Sequence, residues 1–137
     1  MSRSLDDLHP IVREKAEQWL ELCNQAGHEP LVTCTYRSVQ EQDDLYAQGR
    51  SKPGKRVTNV RGGNSYHNWR VAIDFVPLLA GKPVWDAEHK AWPEIATLAE
   101  AVGFEWGGRW TTFKDLPHLQ YTQGLTCDDF RNGKTLS

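Results

Sequence analysis

Cysteine is scarce in this chain: Cys23, Cys34 and Cys127 are odd in number and widely spaced among 137 residues. That pattern excludes a disulfide framework and a cysteine zinc knuckle, and the three read as reduced, mostly buried small apolar side chains. No apolar run approaches the roughly 20 residues of a membrane-spanning helix. The opening Met-Ser-Arg-Ser-Leu-Asp-Asp has no apolar stretch of the kind that directs secretion. The expectation is a protein made in the cytoplasm, without stable membrane association, that needs another route to act outside. Excess basic charge is missing too: the net charge is −2, so nucleic acid is not an expected partner. Lys52, Lys55, Arg56 and Arg61 make a local basic cluster, read as a solvated loop rather than a docking patch.

What is present suits one globular domain over residues 1–137, with 39% apolar and 25% charged residues. Pro10 can open a helix. Ile11, Val12, Ala16, Trp19, Leu20 and Cys23 then recur at helical spacing as far as Gly27. Leu31 to Tyr36 is β-rich and short. Ser38 and Glu41 form a capping-box pattern that starts a second helix, ending near Gln48 and Gly49. Residues 50–64, rich in Gly, Lys, Arg and Asn, form a long loop, a length often tied to function. Val71 to Val76 reads as a strand, with Pro83 to Trp85 as a possible neighbour; Pro93 to Val102 reads as a third helix. Phe104–Trp106 and Pro117–Tyr121 read as short strands, and Thr126 caps a final helix. The order predicts an α+β fold, with helices packed against a small antiparallel sheet.

Three metal-competent residues interrupt apolar surroundings. Asp74 sits in the middle of a predicted strand, where a carboxylate is costly to bury without a partner. His67 lies seven residues earlier, an odd spacing that demands a bend before the two can converge. His118 follows Pro117 on the last predicted strand. Two imidazoles and one carboxylate leave a zinc ion with an open fourth position, as catalytic rather than structural sites do. Asp115, three residues before His118, is the candidate general base. Each residue has a plainer reading: an ordinary loop histidine for His67, an arginine-paired carboxylate for Asp74, a turn residue for Asp115.

The segment Ser65-Tyr66-His67-Asn68-Trp69-Arg70-Val71-Ala72-Ile73-Asp74 resembles the S-x-H-x-x-G-x-A-x-D signature of the D-alanyl-D-alanine carboxypeptidase and L-alanyl-D-glutamate endopeptidase family. Asp115-Leu116-Pro117-His118 is similar to that family's second, acidic-x-x-His motif. Thr35-Tyr36-Arg37-Ser38 with Glu41, Gln42 and Leu45 resembles an upstream block, and Trp106-Gly107-Gly108-Arg109-Trp110 is similar to the phage-type endopeptidases. The resemblance implies one Zn²⁺ held by His67, Asp74 and His118, with Asp115 as base and Arg37 steadying the oxyanion. The plainer reading of Arg37 is a salt bridge near the helix start. Gln42 and Ser65 would line the substrate groove, although Ser65 reads equally as a turn residue. Arg70 stands where the signature has glycine, which puts the shape of that turn in question.

The implied activity is zinc-dependent cleavage of peptidoglycan stem peptides by a hedgehog/DD-peptidase-like domain. The preferred bond is L-Ala–D-Glu, in a phage or prophage lysin that acts on the periplasmic wall as a monomer once a holin-type partner has permeabilised the membrane. A D-alanyl-D-alanine carboxypeptidase is the alternative within the family. A non-catalytic zinc-stabilised binding module and a two-histidine, one-carboxylate iron oxygenase are the alternatives outside it.

Overall fold

Helix α1 (Pro10–Gln25) begins where expected, with Pro10 in the first turn and His9 Nδ1 accepting from the Ile11 N–H. Its apolar stripe buries Val12, Ala16, Trp19 and Cys23 completely. Helix α2 (Val39–Ala47) opens on the Ser38–Glu41 capping box, in which both reciprocal hydrogen bonds form. Helix α3 (Ala91–Ala101) starts two residues ahead of the sequence expectation and takes Pro93 into its first turn, where no N–H is needed. Helix α4 (Cys127–Arg131) is capped by Thr126. The computed structural model describes all of residues 1–137, and no helix in it is long and apolar enough to cross a membrane.

Five strands form one antiparallel sheet: β1 (Glu29–Cys34), β2 (Ala72–Leu79), β3 (Lys82–Pro83), β4 (Glu105–Trp106) and β5 (His118–Gln120). Their order is β1-β2-β5-β4, and β3 folds back on the far end of β2. The α+β architecture is therefore as expected. Strand β1 lies two residues earlier than the sequence suggests. Thr35 and Tyr36 leave the β2 ladder and pair instead with Ser2, by two backbone hydrogen bonds of 2.8 Å.

One face of the sheet carries the core. Ile73 and Phe75 of β2 and Leu119 of β5 pack beneath α1 and α3 with Trp19, Trp92 and Ile95, all fully buried. Trp19 meets Phe75 edge-on at 5.4 Å and donates its indole N–H to the Ile95 carbonyl at 3.1 Å, so its polar atom is satisfied as well. Burial of each large aliphatic or Phe side chain contributes about 1.5–3 kcal/mol. Strand alternation then turns Asp74 and His118 to the opposite face, away from the helices.

Candidate metal centre

The sheet register aligns the site. Asp74 is the cross-strand partner of His118 on one side and of Cys34 on the other. Directly paired residues present their side chains on the same face, so the three stand in one row across β1, β2 and β5. A β-bulge between Val32 and Cys34 shifts the register and brings Cys34, rather than Thr33, opposite Asp74.

His67 comes from outside the sheet. A 3₁₀ turn, Tyr66–Trp69, followed by Arg70 in the left-handed region (φ 66°, ψ 27°), supplies the bend that the odd spacing requires. This is the conformation for which glycine is favoured. Arg70 adopts it while anchored elsewhere: its guanidinium stacks on Tyr36 at 3.8 Å and donates to the Asp7 carbonyl at 2.8 Å. Its charge therefore sits against the amino-terminal segment, on a side chain that stays exposed to solvent. Ser65 caps the turn, accepting from the His67 N–H at 3.3 Å.

His67 Nε2 lies 3.1 Å and His118 Nδ1 3.3 Å from the same Asp74 oxygen, Oδ1. The neighbouring hydrogen bonds decide which ring nitrogens carry protons. His67 Nδ1 faces the Thr35 carbonyl at 3.0 Å; a carbonyl can only accept, so Nδ1 holds the hydrogen. Gln120 donates its amide N–H to the Glu105 carboxylate at 3.2 Å, which turns Gln120 Oε1 toward His118 Nε2 at 2.8 Å and places the second hydrogen on Nε2. With both rings neutral, two nitrogen lone pairs and a carboxylate oxygen converge on one point. His67 Nε2 and Asp74 Oδ1 are buried without a hydrogen-bond partner. Such a convergence is unfavourable unless positive charge occupies it, whether a proton on His67 or a bound cation, and the donors suit zinc.

The electrostatics agree. Burial alone would lower the His67 pKa, but Asp74 and Cys34 outweigh it and raise the pKa to about 10. Burial would likewise raise Asp74, yet His118 and His67 hold it well below the usual carboxylate range. A divalent cation meets the same demand for positive charge with both imidazoles neutral.

A cleft of about 540 Å³ lies over this face and brings Arg37, Asp115, Gln42 and Ser65 to the same space as His67, Asp74 and His118. Asp115 stands at its mouth on the segment between β4 and β5. Burial raises its pKa and Asp74 adds to the rise, against the opposing pull of His118, His67 and Arg37. The backbone there is held by Gly107, whose carbonyl accepts from the Asp115 N–H at 3.0 Å. A Cβ on Gly107 would come within 2.4 Å of the Asp115 carbonyl, which explains a glycine at this position.

Arg37 Nη1 donates to Gln42 Oε1 at 2.8 Å, and Gln42 Nε2 donates to the Val60 carbonyl at 2.7 Å. Gln42 is 1% exposed, and its amide is bonded through both its oxygen and its nitrogen. It ties Arg37 to the 50–64 loop while itself lining the cleft. That loop walls the cleft with Val57, Thr58 and Val60. Two further residues of the site escaped the sequence reading. Asn68 binds the Arg37 carbonyl at 2.9 Å and caps the Ser65 turn. Cys34 lies with His67 and Asp74 so that their ligand atoms are within 4.8 Å of one another. For Asn68 the signal was its third place after Ser65, a capping-box spacing; for Cys34 no local signal exists, because the bulge sets its aim.

Residues 58–121 match the family profile described as D-alanyl-D-alanine carboxypeptidase. The chain is 44% identical over 122 residues to the peptidoglycan L-alanyl-D-glutamate endopeptidase CwlK of Bacillus subtilis (strain 168), covering 83% of this chain and 73% of that protein. It is 32% identical to the L-alanyl-D-glutamate peptidase of Listeria phage A118, covering 99% of this chain but spanning only 47% of the phage protein. The crystal structure of the Serratia marcescens L-Ala D-Glu endopeptidase ChiX superposes with a TM-score of 0.65 at 27% identity, over 88% of this chain and 87% of that one. The chain belongs to the peptidase family of the D-alanyl-D-alanine carboxypeptidases and L-alanyl-D-glutamate endopeptidases.

Proposed function

We propose that residues 1–137 form one zinc-dependent peptidase domain that cuts the L-Ala–D-Glu bond of peptidoglycan stem peptides. The observation that carries this reading is the convergence of His67, Asp74 and His118 on one orphaned buried point, in a cleft shared with Asp115 and Arg37. The choice of bond rests on the named activities of the Bacillus, Listeria phage and Serratia relatives. A lysis role, with a holin-type partner opening the way to the wall, rests on the phage relative alone.

His67 Nε2, Asp74 and His118 Nδ1 would hold the ion, which supplies Lewis acidity toward the scissile carbonyl and acidifies a water. Thr35 and the Gln120–Glu105 pair keep the two rings in the tautomers this requires. Asp115 accepts a proton from the attacking water and returns it to the departing amine nitrogen. Its raised pKa suits both halves of that task. Arg37, fixed by Gln42, faces the developing oxyanion, a contribution of about 3 kcal/mol to the barrier.

Digestion of purified peptidoglycan by zinc-loaded protein, followed by mass spectrometry, tests the reading. Glycan strands left with only L-Ala on muramic acid, and released peptides beginning with D-Glu, are the expected products. Free D-alanine alone would instead mark a carboxypeptidase. Intact wall after treatment with folded, metal-loaded protein would favour a binding module.

A further inference from the structure

The 50–64 loop carries five basic residues, Arg50, Lys52, Lys55, Arg56 and Arg61, and no acidic one, in a chain whose net charge is −2. Two acids of α2 face it. Asp44 pairs with Lys52 at 3.2 Å, and Asp43 accepts the Gly62 N–H at 2.8 Å while acting on Arg61. Lys55, Arg56 and Arg61 are exposed and make no salt bridge. Expected to be merely solvated, the loop is instead pinned in place. Arg50 donates to the Tyr46 and Thr58 carbonyls and to Asn59 Oδ1, at 2.6, 3.0 and 3.1 Å, and Gln48 donates to the Lys55 carbonyl at 2.9 Å. Gly49, at φ 77°, leaves room for Arg56, whose backbone N a Cβ there would meet at 2.6 Å. The cations gather on one aromatic ring: Arg50 lies 3.9 Å and Arg61 5.0 Å from the centroid of Tyr46. Arg61 beside the phenol oxygen, with Arg50 and Arg56, holds the Tyr46 pKa below the usual tyrosine value. Like charges held together in this way repel one another unless an anion shares them.

We propose that this basic loop is a second, non-catalytic contact for the substrate polymer, in which Lys55, Arg56 and Arg61 hold carboxylates of stem peptides neighbouring the one in the cleft. The inference rests on the peptidase reading above and deepens it. D-Glu has two carboxyl groups and each uncrosslinked stem peptide ends in another, so the polymer presents carboxylates at short intervals. Guanidinium groups match carboxylates through paired N–H donors. Each such exposed contact is weak. Contacts made along one polymer nevertheless add avidity, because the first engagement raises the local concentration for the next. The same loop supplies Val57, Thr58 and Val60 to the cleft wall, so the charges stand on a segment that a substrate in the cleft already borders.

Co-sedimentation of the full, zinc-loaded chain with purified sacculi is the test, in an Asp115→Ala parent that leaves the wall uncut. Adding Lys55→Gln, Arg56→Gln and Arg61→Gln together should weaken binding about 10-fold at low salt and flatten its salt dependence. Removing three charges elsewhere, with Lys15→Gln, Lys90→Gln and Lys134→Gln, should leave binding within about 2-fold of the parent. With Asp115 restored, the loop variant's preference for sacculi over a soluble single-stem fragment should fall by a factor similar to its loss of binding. Two arms need no loop variant: amidating the sacculus carboxyls should weaken parent binding about as far as the loop substitutions do, and acid removal of phosphodiester polymers should not. Equal binding by loop variant and parent, or equal losses in the two triple variants, would overturn the loop contact. Weakened binding only after phosphodiester removal would overturn the carboxylate assignment in favour of a phosphate polymer. Charge-dependent binding with no cleavage by protein that retains Asp115 would sink the peptidase reading and leave the loop contact standing.

Discussion

The two halves of the site are held in different ways. Asp74, His118 and Cys34 sit on adjacent strands whose backbone ladder sets their spacing. Arg37, Asp115 and the 50–64 wall stand on irregular segments, tied by side-chain-to-backbone bonds such as Gln42 to Val60 and Asn68 to Arg37. Arg131 of α4 adds another tie, donating to the Gly63 carbonyl at 2.8 Å. The strand-borne half is fixed by the sheet ladder, as the proposed metal site requires. The loop-borne half has no such ladder and depends on individual side-chain bonds. A fold that separates these tasks can change its substrate by altering loops and leave its metal row intact.

If that division is right, substitutions in the two halves should fail differently. The largest effect is expected from Asp74→Ala, which removes the oxygen shared by both histidines. Metal affinity should drop by more than about 100-fold and activity should fall to background; metal analysis after dialysis checks it, and retained metal would break the comparison. Next comes Asp115→Ala in the loop-borne half, where kcat should fall roughly 10²–10⁴-fold with metal content unchanged. The pH profile sharpens this. The proposed base, Asp115, would serve only when ionised, and its pKa is raised, chiefly by burial. Activity should therefore fall as pH drops through a value above the ~3.9 of an ordinary aspartate. That limb should vanish from the residual activity of the variant.

Gln120→Ala should act between these extremes. It frees the His118 ring to take the wrong tautomer, so metal binding should weaken about 10–100-fold, while KM measured at saturating zinc stays near the wild-type value. The smallest effect is expected from Arg70→Gly. Glycine removes the ~1–2 kcal/mol cost of left-handed backbone. It also forfeits the Tyr36 stacking and the Asp7 hydrogen bond, each worth about 0.5–1.5 kcal/mol. Thermal unfolding should stay within about 1 kcal/mol of wild type, with kcat unchanged.

Much of this architecture is written locally. The Ser38–Glu41 box, Pro10 and Thr126 begin their helices as their residue types dictate. Asp74 stands out because an ionisable group interrupts an apolar strand, and the spacing to His67 correctly demands a bend. What lies outside any short window of sequence involves more distant partners. Strand β1 is displaced because Ser2 captures Thr35 and Tyr36. Gln42 shares the cleft, and its amide also joins Arg37 to Val60, a residue 18 positions away. Arg70 finds Tyr36 and Asp7, and Cys34 depends on a bulge that no short window of sequence reveals.

The cross-strand row has one further consequence. Because Asp74 and His118 owe their proximity to backbone pairing, a slip of β5 by a single residue would rotate His118 toward the core and Leu119 into the cleft. No partly assembled version of the centre lies along that path. Heat or denaturant should therefore extinguish catalysis and melt the central sheet at the same midpoint, which makes loss of peptidase activity a direct gauge of the folded population.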